Sequence, residues 1–461
     1  MSVPPRSLKA RDIAHVVHPA TNARRHEVVG PMLIDRGSGI SVFDDQGREY
    51  IEAMSGLWSV AVGFGEERLV EAAARQMRRL SFYPTFAHSS NEPSIQLATK
   101  LVQMTPAGLD RVFFANSGSE ANDTVVKLVW YYNNAIGRPN KKKFIARYGG
   151  YHGATVAAGS LTGMQINQSG FDLPLPFVHY VSCPHQYRFG VPGESEADFT
   201  DRLAADLEAT ILEADPDTVA AFIGEPLMGA GGVLVPPEGY WERVQEICRR
   251  YDVLVVADEV ITGFGRLGVP FACDLYGIKP DMLVLSKQLT SSYVPLAAVV
   301  MSDAIYQALA DLSDYLGAFG HGFTTSGHPV AAAVALENLA VIEERGLVAN
   351  AAAVGVQLQT ALRGFAHHPL VGEVRGVGLI AGVELVADKE TRDPFHPPGQ
   401  VGSYLSERAA AHGLIVRNID DTIAFCPPMI ITAAQCVDLV ARFARALEDT
   451  HAWVLAGRPA S

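Results

Sequence analysis

Apolar residues along this chain fall into short unbroken runs, separated by stretches in which they recur every three or four positions. Arg111–Ala115, Lys143–Arg147, Val219–Gly224, residues 253–257, residues 282–286 and Ala297–Met301 are runs of the first kind. Such runs suit strands buried on both faces. Residues 240–251, between two of them, carry Val244, Ile247 and Cys248 on one helical side, and the stretch after Glu120 is also helix-like. Strands alternating with helices predict an α/β domain with a mainly parallel sheet. The ends differ. Residues 34–51 read as short strands joined by turns, with Asp45-Gln46-Gly47 as a turn signal. Pro329–Glu344 reads as a long helix, with Pro329 suited to its first turn. Beyond it, residues 371–385 and 413–425 are strand-like and 433–450 helical. The expected division is an N-terminal segment over 1–70, a large domain over 71–328 and a C-terminal part over 329–461, the two ends packing into one smaller α+β domain.

Composition narrows the class. Of 461 residues, 48% are apolar and 19% charged, a globular balance. Lys and Arg total 37 against 50 Asp and Glu, a net charge of −13. That argues against general binding to nucleic acid or an anionic membrane, though a few local donors could still hold a small anion. No apolar run approaches the roughly 18 residues that span a bilayer. The first residues lack the apolar core of a secretory signal, while Arg6, Lys9 and Arg11 beside a single Asp12 faintly suggest a transit peptide. The five cysteines are odd in number and include no Cys-x-x-Cys pair, so neither a disulfide framework nor a structural zinc site is expected, and a reducing cytoplasm is.

Four places carry candidate chemistry. Asn116-Ser117-Gly118-Ser119-Glu120 joins a strand to a helix, where backbone N–H groups and two hydroxyls could bind an anion. The plainer alternative is an ordinary helix cap. Tyr148-Gly149-Gly150-Tyr151-His152-Gly153 follows another strand and offers rings for stacking, or merely for core packing. Asp258-Glu259 ends a buried strand, where α/β sheets usually place ligands, but a structural ion pair would look the same. Lys287 follows the run ending at Ser286. Poor solvation there should lower its pKa and suit a nucleophile and proton shuttle, although most strand-end lysines simply reach water. Gly263-Phe264-Gly265-Arg266-Leu267-Gly268 matches the dinucleotide-binding fingerprint, but Pro270 follows closely and the stretch reads as loop rather than helix start. His321 and His328 read as loop residues rather than metal ligands, and no metal site is expected.

Anion turn, aromatic turn, buried carboxylate and lysine together are the parts that pyridoxal 5'-phosphate requires. The segments FFANSGSEAND (113–123), YGGYHGAT (148–155), GEPLMGAGG (224–232), VVADEVITGFGRLG (255–268), LSKQLTSSYVPLAAV (285–299) and HGFTTSGHPVAAA (321–333) resemble the class III aminotransferases, which are fold-type I enzymes of that cofactor. The resemblance covers the chain from about Trp58 to the last helix. It implies a large domain with a seven-stranded-type, mainly parallel sheet. It implies that Lys287 binds the cofactor covalently and shuttles the proton, and that Asp258 pairs with the pyridine nitrogen. Ser117, Gly118 and Ser119 would bind the phosphate. Tyr151 would stack on one ring face and Val260 press the other, with His152 and Glu225 supporting the cofactor side. Phe323 and Thr324 would reach the phosphate of a neighbouring subunit, so a homodimer is implied, alone or paired into a tetramer. Two positions depart from the family's habit. Gln288 stands where a small residue is common, and Ser292 where Gly or Ala is.

Within the family the finer resemblance is to the amine–pyruvate group, the ω-transaminases. It rests on residues 54–60 with Trp58, on Phe82–Phe86 (FYPTF) with Phe86, and on Gly413-Leu414-Ile415-Val416-Arg417 followed by Cys426-Pro427-Pro428. Trp58, Phe86 and Tyr151 would wall an apolar pocket. Arg417 would swing in to hold a keto acid's carboxylate and out for an apolar amine. Without the resemblance, Arg417 reads as one half of a surface salt bridge. Other readings are a class III enzyme using 2-oxoglutarate with ornithine- or 4-aminobutyrate-like donors, an aminomutase or decarboxylase with the same cofactor, a cofactor-dependent regulator, and a dinucleotide oxidoreductase.

Overall fold

The computed structural model describes residues 7–458, so Arg6 of the transit-like start lies outside the described residues. Near the N-terminus, β1 (Ile34–Ser38), β2 (Ser41–Asp44) and β3 (Glu49–Glu52) form an antiparallel meander. Gly47, at φ +76°, makes the turn into β3 that its position in Asp-Gln-Gly predicts.

The centre is a seven-stranded sheet of β4 (Arg111–Ala115), β5 (Lys143–Arg147), β6 (Val178–Val181), β7 (Val219–Gly224), β8 (Leu254–Asp258), β9 (Met282–Leu285) and β10 (Ala297–Met301), in the order 4-10-9-8-7-5-6. β7, β9 and β10 are buried at every position, as their unbroken apolar runs require. β5 to β9 pair in parallel, whereas β10 runs antiparallel to both β9 and β4. The β9–β10 connection holds only the 3₁₀ turn Lys287–Leu289 and no crossover helix, as suits an antiparallel return. β4 therefore points the same way as β9. The C-terminal ends of β4, β5, β7, β8 and β9 all meet along one edge of the sheet, the edge where such sheets bind ligands.

The last third of the chain adds β11 (Val371–Val377), β12 (Ile380–Leu385), β13 (Leu414–Ile415), β14 (Arg417–Ile419) and β15 (Thr422–Phe425). Four of these form the antiparallel sheet 11-12-15-14, while β13 joins the N-terminal meander by pairing in parallel with β3. The helix Pro329–Glu344 packs on the helices Glu67–Arg79 and Glu92–Met104. Residues 263–268 form turns rather than opening a helix, which removes the dinucleotide fingerprint. Among the described residues, no helix is long and apolar enough to cross a membrane.

Candidate active site

Asp258 ends β8 with 4% of its surface exposed. A carboxylate so placed needs donors, and it has them. Its Oδ2 pairs with His152 Nδ1 at 2.8 Å and accepts from Asn122 Nδ2 at 2.9 Å, while Oδ1 accepts from Val260 N–H at 3.2 Å. Asn122 also donates to the His152 carbonyl at 2.6 Å, which locks the helix Gly118–Ala135 to the turn after β5. Sequence reading passes over Asn122, although it lies inside the FFANSGSEAND segment. Its spacing from Ser119 placed it on the helix, but nothing local showed that it faces Asp258. The buried His152 Nε2 and Asn122 Oδ1 have no hydrogen-bond partner among the described residues.

Lys287 begins a 3₁₀ turn two residues beyond β9. Its φ is +44°, a left-handed conformation that costs a side-chain-bearing residue about 1–2 kcal/mol. Strain of this kind gathers at functional sites. The side chain keeps a little accessible surface, yet enough protein surrounds it for burial to lower its pKa to about 8, against the opposing pull of Asp258 and Glu225. Nζ makes no hydrogen bond or ion pair among the described residues. Gln288, buried next to it, donates to the Ile261 carbonyl at 2.6 Å, and its own carbonyl accepts from Asn338 at 2.7 Å. The departure at 288 thus ties the Val260 segment to the lysine turn and leaves the amine untouched. Ser292 sits at φ +57°, which explains why glycine suits that position.

At the start of the helix Gly118–Ala135, the Ser117 hydroxyl accepts from Glu120 N–H at 3.2 Å, and the Ser119 hydroxyl accepts from Ala154 N–H at 3.0 Å. Each keeps its own proton to donate. The N–H groups of Gly118 and Ser119, in the first turn, have no intrahelical partner and point outward as an anion site would need. A Cβ on Gly118 would lie 3.4 Å from Val260 and 3.9 Å from Ser286, so the anion turn, Val260 and the lysine turn converge. Gly153 closes the opposite side at φ +134°, where a Cβ would come within 2.6 Å of Ser119 Oγ and 2.9 Å of its Cα. Gly153→Ala is expected to push Ser119 aside and to cost about 2 kcal/mol or more. Thermal unfolding should show a drop of several degrees, and an unchanged melting temperature would contradict this packing.

Glu225, beyond β7, is 4% exposed. It accepts from the N–H groups of Tyr151 and Gly229, each at 2.9 Å, and so fixes the backbone of the aromatic turn. Burial raises its pKa. Tyr151 is half-buried, and burial raises its phenol as well. Arg417, at the start of β14, is half-buried too. Its charge is felt by both Lys287 and Tyr151. The salt bridge that isolated sequence reading would give it is absent: Arg417 has no ion pair among the described residues.

Two expected pocket residues lie apart from each other within the chain. Trp58 is 1% exposed, packed with Met54, Leu227, Ile261 and Cys426, and its indole N–H has no hydrogen-bond partner among the described residues. Phe86 is not brought to Trp58 and Tyr151 within the single chain. It is 47% exposed and lies against Gly322 of the HGFTT loop, where a Cβ would be 2.8 Å from its ring. Its loop follows the helix Glu67–Arg79 and lies beside the edge strand β4, in a groove with Phe113 and Phe319, which explains the separation. Phe323 and Thr324 share that loop, which is anchored by the Thr325 hydroxyl donating to Asn116 at 2.8 Å.

An anion turn, a free amine and a buried, well-anchored carboxylate on one sheet edge suit a phosphorylated aldehyde with a basic ring nitrogen. Residues 21–447 match the family described as aminotransferase class-III. A probable gamma-aminobutyrate transaminase 3, mitochondrial, of Oryza sativa subsp. indica is 46% identical over 422 residues, spanning 91% of this chain and 83% of its own. The omega transaminase from Pseudomonas jessenii, solved in complex with PMP, superposes with a TM-score of 0.97 at 57% identity and covers 98% of this chain and 100% of its own. A thermostable omega transaminase variant, W58M/F86L/R417L, engineered for asymmetric synthesis of enantiopure bulky amines, superposes with a TM-score of 0.96 at 57% identity over 97% of this chain and 100% of its own. Geometry and likeness agree along nearly the whole sequence: the chain belongs to the class III aminotransferases, and its donor set fits their cofactor, pyridoxal 5'-phosphate.

Proposed function

We propose that this enzyme transfers an amino group from a primary amine or ω-amino acid to pyruvate, releasing an aldehyde or ketone in one half-reaction and alanine in the other. The observation that carries this reading is Arg417, a half-buried guanidinium with no ion pair among the described residues, whose charge reaches Lys287 and Tyr151. Burial lowers its pKa, though a guanidinium stays charged. A cation kept free at such cost suits a carboxylate that arrives only in one half-reaction. The similar transaminase engineered for bulky amines carries changes at a Trp, a Phe and an Arg with the numbers 58, 86 and 417, the same residue types this chain has there.

Bound pyridoxal 5'-phosphate supplies an aldehyde for the amine and a ring that takes up the electron pair left when the substrate carbon loses its proton. The chain supplies the rest. Lys287 Nζ, whose lowered pKa of about 8 leaves a substantial neutral fraction near physiological pH, can take that proton and return it. Asp258, held by His152 and Asn122, would keep the pyridine nitrogen protonated. Gly118 and Ser119 N–H groups with the Ser117 and Ser119 hydroxyls would hold the phosphate. Glu225 would keep Tyr151 in place beside the ring, opposite Val260.

Phe86 lies against Gly322, the Phe82 ring lies 5.6 Å from that of His328, and Phe82, Tyr83 and Phe86 are exposed; we take this face as the homodimer interface through which Phe86, Phe323 and Thr324 reach the neighbouring subunit's site. A reducing compartment such as the cytoplasm suits five buried, unpaired thiols.

The test is Arg417→Ala. Removing a charge-assisted, bidentate contact should raise the KM for pyruvate about 10²-fold, while the half-reaction with an uncharged amine stays within a few-fold of wild type. Equal losses in both half-reactions would sink the reading. The rice relative favours an ω-amino acid among the donors. A 2-oxoglutarate enzyme would need a further cation for the second carboxylate, and assaying both acceptors separates the two.

A further inference from the structure

Glu52 is a buried carboxyl that the reaction does not use. It ends β3 with 4% of its surface exposed, directly before the turn that carries Trp58. That turn is strained at Ser55 and Trp58, with Gly56 taking a positive φ freely between them. Ser55, Gly56 and Trp58 have φ values of +50°, +67° and +63°. A backbone in this state persists only when its surroundings fix it. Glu52 supplies the fixing: one carboxylate oxygen accepts from Met54 N–H at 3.2 Å and the other from Gly56 N–H. The turn then closes on itself, Trp58 N–H donating to the Met54 carbonyl at 2.8 Å. The Ser55 hydroxyl donates to the Cys426 carbonyl at 2.6 Å.

The anchor sits close to the chemistry. Cys426, whose carbonyl accepts from Ser55, has a thiol that feels the charges of Arg266, Glu52 and Lys287 together. Arg266 is fully buried and has no carboxylate within salt-bridge distance among the described residues, so it opposes the carboxylate's burial from a distance. Burial raises the Glu52 pKa to about 7, against the pull of the two N–H bonds and Arg266. The ionised form is the one that two N–H donors select. β3 also pairs with β13, two residues before Arg417, so one short strand holds the Trp58 turn in register with the carboxylate-binding side.

We propose that Glu52 is a positioning residue that sets substrate size selectivity by holding the Trp58 turn through its two backbone N–H bonds. The proposal rests on the reading of Trp58 as a wall of the substrate pocket. A glutamine at 52 keeps the volume but puts an NH₂ group against a backbone N–H, so at least one bond is lost. The wall then gives, and the gain goes to donors with a large group on the reacting carbon.

The test measures kcat and KM for 1-phenylethylamine and 1-phenylbutylamine, with pyruvate as acceptor, in wild type, Glu52→Gln, Trp58→Ala and the double variant. Glu52→Gln is expected to raise the bulky-to-small ratio of kcat/KM about tenfold, the scale of one hydrogen bond to a charged group. The cofactor absorption and the kcat for the small donor should stay unchanged. In the Trp58→Ala background the same change at 52 should have no further effect on the ratio. Glu52→Asp, which keeps the charge but cannot span both N–H groups, should shift the ratio the same way and serves if the glutamine variant fails to fold. Equal loss on both donors, or an effect that persists without Trp58, overturns the proposal. If Trp58→Ala leaves the ratio at its wild-type value, the pocket wall itself is refuted, and the proposal with it. If Trp58→Ala shifts the ratio and neither change at 52 does, only the proposal falls.

Discussion

Lys287→Ala should lose transamination by about 10⁴-fold or more, because one change removes both the covalent anchor and the proton carrier. The purified variant should lack the visible absorption that wild type shows, which shifts on adding an amine and returns with pyruvate. Its fold should survive, since Nζ holds nothing else in place. Wild type carries the same residue's signature in its pH dependence. Burial lowers the ammonium from its ordinary 10.5 to about 8, so the neutral, nucleophilic fraction grows with pH. Capture of pyridoxal 5'-phosphate by cofactor-free enzyme should therefore rise about tenfold per pH unit below 8 and level off above it. A rate that kept climbing toward 10.5 would mean that the amine is solvated. A Lys287→Ala enzyme that still turned over would remove the basis of the whole mechanism.

Asp258→Asn should keep the lysine-bound absorption yet lose turnover by about 10²–10³-fold, the scale of deleting one preorganised electrostatic partner. The change is nearly isosteric, but it sets an NH₂ group among donors from His152, Asn122 and the Val260 backbone. One or more of them loses its acceptor, so the melting temperature should also fall. His152→Ala offers a check on the geometry, because it frees the carboxylate without removing it and should cost less. An asparagine variant within tenfold of wild type would show that the ring nitrogen is not held from this side.

The large sheet was legible because strands buried on both faces read as unbroken apolar runs, and β7, β9 and β10 are buried throughout. The helix Pro329–Glu344 was legible to the residue, since proline and a helical apolar pattern mark its start. Motif order brought Lys287, Asp258 and the anion turn together, because each sits at or just past the end of a strand of one sheet. Other parts carry no local signal. Asn122 depends on which helical face meets β8, and the left-handed backbone at Lys287 and Ser292 depends on how a short loop must turn. Glu52 and Arg266 are charges in a core, which no hydropathy pattern announces. Phe86 was set beside Trp58 by the family resemblance of its FYPTF segment, and which subunit's pocket it faces is not written in that segment: the chain path carries it to the sheet's edge beside Gly322.

The pairing of β3 with β13 has a consequence for biosynthesis. It is built from two residues on each strand, drawn from opposite ends of the chain. The strands of the central sheet can associate as they leave the ribosome, but Ile51 and Glu52 must wait for Leu414 and Ile415 to be made. Until then the nascent chain exposes an unpaired strand edge, a site for aggregation that chaperones would need to cover.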